Sequence, residues 1–249
     1  LRIWRNIWAI FLRELGAYFL SPIAWVVLFL FLIINGATFY LFARIYAEQP
    51  RQITLIVESL FGFSLFWILP LSPLLTMRLV AEEKRVGSLE LLMTAPVGEA
   101  EVVLGKFLAA QAFYTLVWLS LTPLFVILEV LGDVDWGPIG AVYCGLFALG
   151  FLTNALGVLA STVTRNQLVA AVLALSGNLV LFYIPLTQSL LSPDALDAAR
   201  FVRFLSFTSH FEWDYSKGIV DLRYLALYGS LTAFLLFLSV RVLEARKWR

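Results

Sequence analysis

The residue types able to do chemistry at a wet surface collect in one stretch, Arg78 to Lys106, reading RLVAEEKRVGSLELLMTAPVGEAEVVLGK. It holds Arg78, Glu82, Glu83, Lys84, Arg85, Glu90, Glu99, Glu101 and Lys106, and long uncharged runs flank it. Each such group in hydrocarbon costs about 2.5–3.5 kcal/mol even on the lenient insertion scale, so the segment must lie outside any membrane its neighbours enter. Gly87 can end one helical stretch and Ser88 can cap the next, with Glu90 in its first turn near the positive end of the dipole. Leu89, Leu92 and Met93 then stand at i, i+3 and i+4, an apolar patch on one face of a short helix. Pro96 and Gly98 stop that helix. The chemistry on offer is ion pairing and docking. The same pattern also fits a solvated loop with a helical turn.

Bond-making chemistry lacks its residues. No Gly-x-x-x-x-Gly-Lys-Ser/Thr loop is present: Gly98 and Gly105-Lys106 have the wrong spacing, and Phe107 follows the lysine. There is no His-Glu-x-x-His, no Gly-x-Ser-x-Gly, and no Ser–His–Asp set on one aqueous face. His210 is the only histidine, and without a second ligand it reads as a residue of a capped loop. Cys144, the single cysteine, excludes an internal disulfide and a cysteine zinc cluster, and its apolar setting suits packing. No catalytic, metal or cofactor site is therefore expected in the chain.

The elements that must position the charged stretch follow from composition. Of 249 residues, 61% are hydrophobic and 14% charged, against about 25% charged in a soluble domain. Mean hydropathy is +0.88. Uncharged runs cover 15–43, 59–77, 107–128, 136–164, 166–193 and 224–240. Each is long enough for one membrane helix of roughly 17–25 residues and none comfortably holds two. The expectation is an all-α polytopic membrane domain over 1–249, with spans near 22–43, 58–78, 106–129, 137–164, 167–191 and 222–243. Six spans put both termini on one side. With the termini inside, twelve of the eighteen basic residues fall on inner segments, which places the termini and 78–106 in the cytoplasm.

Two further segments have their own grammar. In residues 1–16, helical spacing puts Trp4, Ile7, Trp8, Phe11 and Leu15 on one face and Arg2, Arg5, Asn6 and Arg13 on the other. Indoles beside arginines suit a helix lying in the lipid–water interface. Residues 192–221 carry helix-start signals at Ser192-Pro193-Asp194 and at Ser209 to Glu212, with Gly218 as a stop and Asp221 as a cap for the last span. Phe201, Phe204, Phe207, Phe211, Trp213 and Tyr215 make this segment too apolar for open water. It reads as a helical hairpin dipping into the outer leaflet. Within the spans, Asn154 and Asn178 read as interhelical hydrogen-bonding groups, and no Asp, Glu, Lys or Arg sits at mid-depth to couple ions.

Glu82-Glu83-Lys84-Arg85-Val86-Gly87-Ser88-Leu89-Glu90-Leu91-Leu92 followed by Pro96 resembles the coupling-helix signature of ABC exporter permeases of the second type. The likeness is nearest to the short permeases named after gliding motility and copper-enzyme maturation. Arg13-Glu14-Leu15 with Ser21-Pro22, and His210-Phe211 with Lys217-Gly218-Ile219 and Asp221, extend it over most of the chain. The resemblance implies a permease in the cell inner membrane that docks a separate ATP-binding subunit, present in two copies in the assembly, through Glu82, Glu83, Lys84, Arg85, Gly87, Ser88, Leu89, Glu90, Leu92 and Met93. ATP and Mg would be bound by that partner. It implies a second permease chain, identical or related, a role for the Trp4, Trp8, Phe11, Arg13 helix at the partner, and an outer gate containing Phe201, Phe204, Phe211 and Trp213. Membrane lipid is an expected partner and nucleic acid is not. Two other functions remain compatible with the sequence: a complex that signals mechanically to an extracytoplasmic machine, and a membrane-embedded lipid-modifying enzyme.

Overall fold

The computed structural model describes residues 2–48, 52–87, 97–184, 202 and 204–245, without the side chains of Gln52 and Trp213. Among these residues there are helices and no strands. In chain order they are α1 (Arg2–Leu20), α2 (Pro22–Ile45), α3 (Gln52–Ser64), a 3-10 turn (Leu65–Trp67), α4 (Ile68–Thr76), α5 (Ala81–Val86) and α6 (Glu99–Leu119). There follow α7 (Thr122–Leu131), α8 (Trp136–Val163), α9 (Gln167–Tyr183), α10 (Phe207–Trp213), a second 3-10 turn (Tyr215–Lys217) and α11 (Leu222–Glu244).

Among the described residues, five segments are long and apolar enough to cross a membrane: Pro22–Ile45, Ile53–Val86, Glu99–Leu131, Trp136–Val163 and Leu222–Glu244. The expected fifth span, 167–191, is described only as far as Ile184, and its helix α9 counts 17 residues. Two of the expected spans are not single helices. The second breaks at the 3-10 turn before Pro70 and continues as α4 through Pro73. The third breaks at Ser120-Leu121, where Thr122-Pro123 restarts the chain as α7. Proline removes a backbone donor and clashes with the preceding turn, which accounts for both interruptions.

Helix α8 is the central element, packed on by α4, α6, α9, α11 and the second 3-10 turn. Its sequence explains the position. Small residues recur along it, and a β-carbon at Gly157 would collide with the Thr76 side chain of α4. At Gly150 the Tyr114 ring of α6 occupies the equivalent space. Close backbone approach through small residues is how helices associate where lipid supplies no hydrophobic drive. Polar groups then tie the bundle. Asn154 Nδ2 donates to Gln111 Oε1 at 2.9 Å, Ser64 Oγ donates to Asn35 Oδ1 at 2.5 Å, and Asn178 Nδ2 reaches the Ile68 carbonyl at 3.4 Å. Each such bond contributes on the order of 0.6 kcal/mol.

Capping side chains set the helix starts. Asp135 accepts from Gly137 N–H at 3.0 Å, Asn166 from Leu168 N–H at 2.9 Å and Asp221 from Arg223 N–H at 2.8 Å. The expected start at Ser209 is corrected: Ser206 is the N-cap of α10, its Oγ accepting from Ser209 N–H at 3.3 Å. Ser209 thus supplies the capped amide, while Phe207 and Phe211 on the same helix are buried.

Candidate functional site

The charged stretch meets three elements at one end of the bundle. Lys106, from the first turns of α6, is 1% exposed, and its Nζ lies 2.9 Å from Glu14 Oε1 of α1 and 2.9 Å from Glu83 Oε1 of α5. Arg13 reaches the same two carboxylates, at 2.6 Å to Glu14 and 3.2 Å to Glu83. An ammonium in a nearly dry site is tolerated only when paired, and two carboxylates from different helices do the pairing here. Burial raises the Glu14 pKa, but the charges and hydrogen bonds of Lys106 and Arg13 outweigh it and hold the carboxyl below its ordinary value.

Neighbouring contacts extend this junction. Tyr18 of α1 donates its hydroxyl proton to the Leu75 carbonyl at 2.6 Å, and the Arg78 guanidinium lies 5.4 Å from the Tyr18 ring centre. Arg78 also donates to Ser21 Oγ at 2.9 Å, fixing the corner between α1 and α2. Asn6 donates to Glu101 Oε2 at 2.8 Å. On the other flank, Lys84 donates to the Thr162 carbonyl at the end of α8. Ser161 Oγ accepts from the Val80 and Ala81 amides at 3.1 and 3.0 Å, which seats the start of α5 on α8. A cavity of about 240 Å³ lies against this junction, lined by Glu14, Tyr18, Arg78, Glu82, Glu83 and Lys106 among others.

The expected docking residues therefore divide. Glu83 and Lys84 face inward into these contacts, while Glu82 and Arg85 form a looser pair at 3.8 Å on the outer face of α5. Gly87 closes α5 with φ +80°, a left-handed conformation that an L side chain resists, so the chain turns out of the helix at that point. Ser88, Leu89, Glu90, Leu92 and Met93 lie outside the described residues. The junction ends where the motif's apolar patch begins.

Helix α1 runs to Leu20, four residues beyond its expected end, and its apolar arc is split. Ile7 and Ile10 are buried, and Gly105 of α6 lets the backbones come close there. Trp4 and Trp8 point outward, 73% and 60% exposed, with Phe11 stacked on Trp8 at 4.9 Å between ring centres. Treating the five apolar residues as one face missed that the helix has a protein side and a separate indole side. Lys106 carries no motif, and Glu14 entered only within the Arg13-Glu14-Leu15 triplet. Their further signal was physical: each charge borders a long apolar run, where an unpaired charge is expensive.

A second concentration of polar groups lies at the other end. Helix α8 has 28 residues and so spans about 42 Å. Asp135 at its start is far from Thr162 at its end. Near that start, His210 of α10 is buried, its Nδ1 within 2.6 Å of the Tyr228 hydroxyl of α11, and it stacks on Tyr224 at 3.6 Å between centres. Tyr224 donates to Asp214 at 2.9 Å. This joins α10 to α11, a packing role for the sole histidine. Among the expected gate residues, Phe211 is buried and Phe204 is 38% exposed; Phe201 and the Trp213 side chain lie outside the described residues. No three His, Cys, Asp or Glu among the described residues converge as a metal site.

A family model described as ABC-2 family transporter protein matches residues 8–240. The chain belongs to the ABC-2 transporter family. The match runs from the middle of α1 through nearly all of α11, so it includes the junction at Lys106 and the break at Gly87 alike. No curated protein gives a significant match to the sequence. Together with the five apolar segments, the family makes this a multi-pass membrane protein, consistent with the permease subunit of an ABC transporter.

Proposed function

We propose that this chain is the permease of an ATP-driven exporter in the cell inner membrane, with both termini and the Lys106 junction in the cytoplasm. A separate ATP-binding subunit, in two copies, hydrolyses ATP with its own Mg; this chain does no catalysis. A second permease chain, identical or related, completes the transport unit. The observation that carries the reading is the junction itself. Helix α5, which leads directly into the apolar motif Leu89, Leu92, Met93, is tied by Glu83 to α6 and by Lys84 to α8.

The mechanism follows from that wiring. A push on the segment after Gly87 acts first on α5, a helix of six residues too short to absorb it by bending. Glu83 passes the displacement to Lys106, and through Lys106 to Glu14 on α1. Lys84 passes it to the end of the central helix α8. Closure of the ATPase dimer therefore moves the packed helices α1, α6 and α8 as rigid pieces rather than deforming one loop.

The test is docking. Each fully buried Leu or Met of the motif is worth about 1.5–3 kcal/mol. Leu92→Asp with Met93→Asp should separate the ATP-binding subunit from the membrane complex during co-purification. Glu82→Lys with Glu83→Gln should leave binding but uncouple ATP hydrolysis from transport in liposomes. Normal co-purification of the double aspartate variant would refute docking at this motif. ATP hydrolysis with no movement of any cargo would favour the mechanical-signalling function instead.

A further inference from the structure

At the end of the bundle away from Lys106, a cavity of about 660 Å³ opens between α3, the start of α8, the end of α9, and α10. Ligand pockets for small molecules run about 300–1,000 Å³ and combine apolar walls with a few placed polar groups. The walls here are aromatic, with Phe61 and Phe66 from the α3 side, Phe182 from α9 and Phe211 from α10. Among the described residues the charged groups are one-signed in excess: Glu58, Asp135 and Glu212 line the cavity with Lys217. Glu58 and Glu212 enter no ion pair among the described residues. Those carboxylates come from three different helices or helix starts and do not converge on a metal-sized point among the described residues.

We propose that this cavity binds an amphipathic organic cation, its apolar body against the phenylalanines and its positive charge toward Glu58 and Glu212. A spread acidic rim over an apolar wall suits a diffuse organic charge, and aromatic faces attract cations directly. A small hydrated metal ion would instead need its oxygen ligands gathered within coordination distance. An anionic amphiphile of the same size meets like charge at the rim. The cavity's place as a cargo site rests on the exporter function; its affinity for the cation does not.

The experiment uses the full chain in lipid nanodiscs, with empty nanodiscs subtracting the lipid background. Tetraphenylphosphonium and tetraphenylborate are nearly isosteric and opposite in charge. Equilibrium dialysis should give saturable binding of the phosphonium and none of the borate. Glu58→Gln with Glu212→Gln should weaken the phosphonium at least tenfold, and Phe61→Ala should weaken it without restoring the borate. Absence of saturable phosphonium binding to the unaltered chain, or equal binding of both ions, overturns the proposal, and neither result depends on how a variant folds. Binding that survives the double glutamine change places the cation elsewhere and overturns it too. Saturable binding without ATP-driven movement of the phosphonium in the reconstituted complex would instead count against the exporter function and leave the site standing.

Discussion

Lys106 shows how much one side chain can decide in an apolar protein. It is almost fully buried, and both its carboxylate partners belong to other helices, one 92 residues earlier in the chain. Removing one partner from a buried ion pair leaves an uncompensated charge, whereas replacing the whole set by neutral groups is often tolerated. Lys106→Ala should therefore cost about 3 kcal/mol, at the low end of the usual penalty for buried pairs, because Glu14 and Glu83 keep 15% and 19% of their surface. Lys106→Met combined with Glu14→Gln and Glu83→Gln should recover most of that stability. The measurement is thermal unfolding in detergent alongside ATP-driven transport. Stability restored with transport still lost identifies a coupling role; a triple variant that transports normally would show the ion pairs to be structural only. This network was not readable from spacing, since ion pairs 23 and 92 residues apart leave no periodic trace. The lone charges at the edges of uncharged runs were the visible part.

At the level of elements, the central helix α8 was legible and its neighbours were less so. Its length followed from the uncharged run 136–164. The second and third spans lie within apolar segments as expected, but an uncharged run records solvent preference, not backbone continuity; the breaks at Leu65–Trp67 and Ser120-Leu121 belong to prolines within those runs. The cap at Asp221 was readable because nothing competes with it, while Ser206 and Ser209 are both chemically able to cap and burial of Phe207 and Phe211 selects the earlier one. Packing against α8 gives a direct test. Gly157 faces Thr76 with no room for a side chain, so Gly157→Val should destabilise by about 1–3 kcal/mol through overpacking. Thr76→Ala in the same chain should relieve part of the clash. A lowered unfolding temperature for the single variant, partly restored in the double one, is the expected result; an unchanged temperature for Gly157→Val would mean α4 and α8 do not meet as described.

For the whole molecule, the bundle has two ends of different chemistry joined by a helix about 42 Å long. One end binds its charges to each other, and the other leaves carboxylates around a cavity. That asymmetry fits the proposed exporter, driven from one face and loaded at the other, and it makes orientation the decisive property. The bias of basic residues toward the Lys106 end argues that this end is cytoplasmic. The prediction can be checked in sealed cells with an impermeant thiol reagent, after Cys144→Ala removes the native thiol. Cysteines placed at Asp133, in the turn between α7 and α8, should be labelled from outside. Those at Arg85, on the exposed face of α5, and at Arg165, between α8 and α9, should be labelled only after the membrane is opened. All three positions lie in or beside short turns, so failure of labelling at one cannot be blamed on burial in the bundle. Labelling of position 85 from intact cells would invert the molecule. It would put the docking motif outside, beyond reach of any cytoplasmic ATPase, and the cavity would then open to the cell interior.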